Sequence, residues 1–385
     1  MKRVLPICAF VFAEFFAMGL PLPVLPMHVS QGLGLGAFIV GLAIGAQSWA
    51  TLLTRHVAGS SSDQQGPKRA ALLGLALSSV AGLIVAASTL VPHVTGSLAV
   101  LLAGRALLGF GESLVITSAL SWGVSLAGRE RSGLVMAWVG IAMYGALAAG
   151  APLGSALEAR VGFAGVSLVA AAAPVLGLIA ALLATAVAPI GGTRLPFSTV
   201  VRQIWWPGAG LTLSALGFGA IAAFATLLFR ERGWTHGALA MTAFGGAYVV
   251  ARLMFGSLPD RFGGARVAVG STAIAGAGQA LMFVAPNEAV AVVAAALTGL
   301  GFSLSFPAFG VEAIKRVPPQ SRGVALGAYA ACFDLTMGVG VPSLGMVVAK
   351  LGYASAFAVG AVSAVVALLI ALSLVAPLTT PEKAA

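Results

Sequence analysis

Residues 59–69 read GSSSDQQGPKR, and 197 residues later, at 256–266, the chain reads GSLPDRFGGAR. Both stretches set Gly, three spacers, Asp, two spacers, Gly and a basic end into a chain in which only 8% of residues are charged. Further pairs surround them. Arg55 stands four residues before Gly59, and Arg252 four before Gly256. GESL (111–114) pairs with GFSL (301–304) at an offset of 190, as do Gly133 with Gly323 and Pro152 with Pro342. The drift of seven between the two offsets is what loops of unequal length produce. The chain therefore reads as an internal duplication.

Composition supplies the element type. Apolar residues make up 59% of the 385, glycines number 50, and mean hydropathy is +1.02. These values describe a membrane chain rather than water-soluble domains. Apolar stretches recur about every 30 residues, most long enough for a helix rising about 1.5 Å per residue to cross about 30 Å of hydrocarbon. Twelve are expected, at 4–27, 37–57, 70–91, 97–126, 132–156, 164–188, 206–229, 238–258, 267–285, 289–313, 322–349 and 355–376. No segment alternates as a membrane barrel does, and helices alone then satisfy the backbone away from water. The expected fold is all-α, two pseudo-symmetric six-helix bundles: 1–188, a cytoplasmic linker at 189–205, and 206–385 with a short cytoplasmic tail.

The formal charge of +10 invites a nucleic-acid reading, but its distribution answers otherwise. With the N-terminus inside, the basic residues gather in the cytoplasmic loops, leaving only Arg160, Arg230, Arg232 and Lys350 outside and Arg105 and Arg252 within helices. The positive-inside rule then sets both termini in the cytoplasm and leaves no nucleic-acid role. The opening MKRVLPICAFVFAEFF is too long an apolar run for a signal peptide and lacks a small-residue cleavage site, so it is expected to stay as the first helix. Cys8 and Cys332 fall in expected helices as packing residues.

The repeated loop has its own mechanics. Its glycines suit a tight turn, and Asp63 or Asp260 can cap a helix start or pair with a nearby arginine. Such a charge pair between the bundles, broken and remade as they rock, would bias one conformation. Arg55 and Arg252, one turn before the loops, are candidate partners for Asp63 and Asp260, or else interfacial anchors.

Gly59, Asp63, Gly66, Lys68 and Arg69, with Gly256, Asp260, Arg261, Gly263 and Arg266, resemble the loop signature of the major facilitator superfamily. In the first copy Gln64 stands where a basic residue is usual. RALLGFGES (105–113) resembles that superfamily's second signature, which implies a role for Arg105 in proton movement. GAPLGSAL (150–157) is similar to the Gly-Pro element of its drug and sugar-efflux antiporters, with an Ala between Gly and Pro. The resemblance covers the whole chain and points to bacterial inner-membrane relatives of those exporters.

Ionisable groups deep in a membrane are expensive, so each is a functional candidate. Glu14 lies near the middle of the first helix, a carboxyl able to take a proton from one side and release it on the other, or else one paired with Arg105. Arg105 and Glu112, seven residues apart, share a helix face. Asp334 lies mid-way along the eleventh span, and the 190 offset makes Tyr144 its counterpart. Gly150, Pro152 and Gly154, with Pro342 in the partner helix, combine close packing with a kink and are expected bending points. Carboxylates at Glu14, Glu112 and Asp334 beside Arg105 suit a cationic or zwitterionic solute with apolar surface.

Nothing points to an enzyme, a metal or a cofactor. The four histidines have no ligand spacing, and no phosphate-binding Gly-Lys-Ser/Thr motif is present. The expectation is a secondary transporter, functional as a monomer in the bilayer, that exports a small molecule (drug, sugar or metabolite) against protons by alternating access. An uptake symporter would use the same residues, and a sensor or scaffold on this fold is the remote rival.

Overall fold

The computed structural model describes residues 4–128, 132–187, 197–318 and 322–375. Leu5–Gly19 is α1. It stops before Pro21, Pro23 and Pro26, as expected of prolines that cannot extend a helix. The chain then turns through Leu25–Met27 and a π-helical turn, His28–Gly32. Ala37–Gln65 is α2, Pro67–Ala87 is α3 and Val94–Ala127 is α4.

The helical run Ser132–Leu183 is broken at one residue, Gly162, whose φ of 67° and ψ of −179° are not helical. Its arms, 132–161 (α5) and 163–183 (α6), meet there in a conformation that glycine adopts without a Cβ clash. Phe197–Glu231 is α7, Ala238–Phe255 is α8, Gly264–Val284 is α9 and Glu288–Ile314 is α10. Arg322–Leu335 and Val341–Leu351, joined by the π-helical turn Thr336–Gly340, together form α11, and Ser355–Val375 is α12. Ten helical runs among the described residues are long and apolar enough to cross a membrane, and one of them is the 49-residue Val135–Leu183. The protein is an all-helical, multi-pass membrane protein.

Two expected boundaries move. The expected linker 189–205 is helical from Phe197 onward, because STVVRQIWW continues α7 backwards. There Trp205 and Trp206 are exposed, and the Trp206 indole donates to Ser373 at 2.9 Å. The first repeated loop is mostly not a loop: α2 runs through Gly59 to Gln65 and only Gly66 breaks it. In the second copy α8 ends at Phe255 and a separate short helix, Leu258–Phe262, follows. Pro259 explains the difference, since it lacks the N–H that a continuing helix needs and is at home in a first turn.

Both copies nevertheless end alike. Gly66 has φ 90° and ψ 148°, and Gly263 has φ 86° and ψ 143°, each just before the next helix. Only glycine is comfortable there.

Small residues let the helices approach. A Cβ on Gly150 would stand 3.0 Å from the Gly19 Cα, and one on Gly154 would collide with the Leu20 carbonyl, so α5 is seated directly on α1. Gly150, Pro152 and Gly154 all lie within helical backbone, whereas the break comes at Gly162. Pro342 follows the π-helical turn, which absorbs its missing N–H. In the membrane, such close packing is what holds helices together.

Candidate functional site

α2 packs against α11 and α5 against α8, so helices of the first repeat meet helices of the second along a seam. Gln47, Thr51 and Arg55 recur every four residues on α2 and so form one stripe. Glu112 of α4 accepts from the Gln47 amide at 2.7 Å and from the Thr51 hydroxyl at 3.3 Å. One turn on, Arg55 donates through Nε to Asp334 of α11 in an ion pair across the seam. Glu112 lies within Coulombic reach of both Arg55 and Asp334.

The expected mixed-sign group is thus divided. Glu112 and Asp334 come together with Arg55, which sequence reasoning had matched to Asp63. Glu14 and Arg105 sit away from that pair, buried among helices of the first repeat. Glu14 is fully buried, its Oε1 accepts from Ser78 of α3 at 2.6 Å, and its Oε2 has no partner among the described residues. Among the described residues Arg105 has no ion pair: its Nε donates to the Ala43 carbonyl at 3.0 Å and its Nη2 to that of Ile44 at 3.4 Å. Arg105 and Ser78 line one small cavity with Ala17, Pro21, Gly82 and Phe163. Glu112 is the link between the two places, within Coulombic reach of Glu14 and of Arg105 as well.

The second half repeats this scaffold with different chemistry. The 197 offset carries Gln47, Thr51 and Arg55 onto Phe244, Tyr248 and Arg252 of α8, and the 190 offset carries Glu112 onto Phe302 of α10. The contacts are carried over too. A Cβ on Gly109 would collide with the Gln47 carbonyl, and one on Gly299 with the Phe244 carbonyl. Where Gln47 and Thr51 hydrogen-bond Glu112, Phe244 and Tyr248 each pack 6.2 Å from the Phe302 ring.

Tyr144 of α5 joins this aromatic cluster from across the seam. It stacks on Tyr248 at 3.8 Å and lies edge-on to Phe302 and Phe218 at 6.1 and 5.9 Å. Phe333, next to Asp334, packs 5.9 Å from Phe218, so the polar and aromatic halves are neighbours. Arg252 donates to the Tyr248 hydroxyl at 3.0 Å rather than to Asp260.

The remaining loop residues are structural or exposed. Lys68 caps the end of α6, donating to the carbonyls of Leu182 at 2.7 Å and Ala184 at 2.8 Å. Gly256 stands in the turn after α8, while Arg69, Asp260, Arg261 and Arg266 are exposed, with no ion pair among the described residues. The Asp63 side chain lies outside the described residues.

Sequence reasoning missed Gln47, Thr51, Ser78 and the rings around Tyr144. The signal for most of them was the four-residue stripe ending at Arg55, read together with its copy ending at Arg252. It also missed Glu312, which is buried at the end of α10, accepts from the Ala265 N–H at 3.0 Å and pairs with Lys315 at 2.7 Å.

An all-helical membrane protein with a buried polar and aromatic seam between two repeated halves has the build of a solute transporter, and the comparisons agree. The family model of the Major Facilitator Superfamily matches residues 7–205 and 208–385, and the chain belongs to that family. It is a membrane transport protein and not an enzyme. An uncharacterised MFS-type transporter of Salmonella typhimurium is 41% identical over 360 residues, covering 93% of this chain and 92% of that one. Another, of Burkholderia mallei, is 41% identical over 363 residues, covering 94% and 89%.

Two solved structures share the fold at low identity. The human organic anion transporter MFSD10 (TETRAN) superposes with a TM-score of 0.74 at 16% identity, over 96% of this chain and 99% of that one. The nucleoside transporter NupG superposes with a TM-score of 0.75 at 15% identity, over 97% and 99%.

Proposed function

We infer that the chain is a proton-coupled exporter of small organic solutes that works by alternating access. Taking the arms on either side of Gly162 separately and adding α1 gives twelve crossings. They divide into one bundle at 1–188 and another at 206–385, around a connection at 189–205. The loop charges favour both termini on the cytoplasmic side of a bacterial inner membrane. The partners are then a small molecule, protons and the bilayer, with one chain sufficient.

The observation that carries this reading is the Arg55–Asp334 ion pair across the seam. One guanidinium serves a region that holds two carboxyls, Asp334 and, within Coulombic reach, Glu112. Protonating Asp334 removes the attraction between α2 and α11 and frees the bundles to rock, while releasing the proton on the other side restores it. Gln47 and Thr51 keep Glu112 oriented in either protonation state, because a protonated carboxyl still accepts through its second oxygen. Glu14, within Coulombic reach of Glu112, is a second proton-holding group.

Everted vesicles with an acid interior provide the test. Cationic, zwitterionic, anionic and sugar-like compounds are added to wild type, Asp334→Asn and Glu14→Gln, and proton release is followed. Export predicts that at least one compound collapses the gradient in wild type and fails to do so in Asp334→Asn. If no compound does, and acidifying the outside of right-side-out vesicles drives uptake of one, the uptake symporter replaces this reading.

A further inference from the structure

Arg252 is a buried cation whose counter-ion is absent by the logic of the repeat. Its equivalent Arg55 meets Asp334 across the seam. Tyr144 stands where the repeat would put that carboxylate, and a phenol does not neutralise a guanidinium at neutral pH. Arg252 is 9% exposed and its Nε is buried with no acceptor. The Nη2 bond to the Tyr248 hydroxyl and a position 5.6 Å from that ring's centroid are its polar and aromatic contacts. Among the described residues no carboxylate is ion-paired with it.

Opposite the guanidinium, α5 presents Gly140. A Cβ there would stand 3.6 Å from Nη2 and 3.4 Å from the Tyr248 hydroxyl. The helix that faces Arg252 therefore brings no side chain at that level, and one turn further on it brings the Tyr144 ring. The carboxylates of the seam are already served: Asp334 by Arg55, and Glu112 by Gln47 and Thr51. Counted in sequence, the acids favoured a cationic or zwitterionic solute. Once partnered, they leave a cation as the group in need of a charge.

We propose that Arg252, with the rings of Tyr144, Tyr248, Phe244 and Phe302, binds an organic carboxylate that has a planar apolar body. The substrate's carboxylate takes at Arg252 the place that Asp334 takes at Arg55. A guanidinium presents a fork that matches a carboxylate with two parallel hydrogen bonds, and losing them is what an Arg-to-Lys change measures. The rings offer flat surface for the body of the ligand at small entropic cost. In this conformation Tyr144 lies stacked on Tyr248 and α5 is already seated on α8, so the ligand is taken up when these two helices part. The proposal rests on the seam being the transport site, and it names the class of solute carried there.

Thermal unfolding of the full-length chain in detergent tests it without measuring flux. The probes are 3-phenylpropionate and indole-3-acetate, each against its amide and the corresponding amine. Carboxylates are expected to raise the melting temperature, and amides and amines are not. Arg252→Gln should weaken the carboxylate response at least tenfold in apparent affinity, and Arg252→Lys should fall between.

Tyr144→Asp is the decisive variant. It supplies an internal carboxylate in the Asp334 position, so it should abolish the response while melting, without ligand, no lower than Arg252→Gln. Equal stabilisation by amides or amines, an undiminished response in Arg252→Gln, or no response to either carboxylate would overturn the proposal. Those results leave proton-coupled export standing, because the vesicle measurement is independent. Carboxylate binding without any coupled flux would instead count against export and leave the anchor in place.

Discussion

Arg55 on α2 and Asp334 on α11, 279 residues apart in the chain, form the ion pair that joins the two repeated halves. Asp334 is buried, while the Arg55 side chain keeps 20% of its surface exposed. Breaking a buried pair from one side strands a charge, which costs about 3–5 kcal/mol when no water reaches it and less where some does. Arg55→Gln, which strands the buried Asp334, should therefore lower the melting temperature more than Asp334→Asn, which leaves a guanidinium that water still reaches. A coupling of about 0.5–3 kcal/mol in a double-mutant cycle is expected; an additive cycle would show that the pair does not act as one unit.

Glu112→Gln separates packing from coupling. A glutamine keeps an acceptor oxygen for Gln47 and Thr51, so stability should stay within about 1 kcal/mol of wild type. The variant cannot carry a proton. Solute binding that persists while proton-linked flux disappears is the expected result, and wild-type coupling in Glu112→Gln would remove this group from the proton path.

Gly299→Ala and Gly109→Ala test the mirrored close approaches to the Phe244 and Gln47 carbonyls. Each should cost about 1–3 kcal/mol through overpacking. Gly270, also helical, has open space around its Cβ position. There an alanine should be neutral or stabilise by up to about 1 kcal/mol through helix propensity. Melting temperatures of the three variants give the comparison directly.

Gly66→Ala and Gly263→Ala should behave as a matched pair. Both backbones lie at φ near 90°, where a Cβ costs about 1–3 kcal/mol. Losses that differ widely would mean that the two halves do not carry this turn equivalently.

Much of the fold was legible because duplication and hydropathy act through local rules. A run of apolar residues must become a helix in lipid, and two equal loops half a chain apart imply two equal folding units. The pairs Arg55 with Arg252, Glu112 with Phe302 and Tyr144 with Asp334 could all be written down from two offsets. Helix ends were less legible. Whether α2 runs through its repeated loop, or a single glycine divides 132–183, depends on one residue's freedom and on the neighbours that hold it.

What the sequence by itself determined is which residues are equivalent and which ionisable groups must lie in the membrane, since both follow from spacing and from the expense of charge in hydrocarbon. What only the tertiary structure decided is who meets whom. Arg55 finds Asp334 and not Asp63 because α2 packs on α11, and Arg105 spends its donors on backbone carbonyls of α2 instead of on a carboxylate. Arg252 is left beside Tyr248 with a nitrogen unbonded among the described residues, because α5 faces it with Gly140 and Tyr144. Partnering depends on helices brought together from distant parts of the chain, and no local rule carries that information.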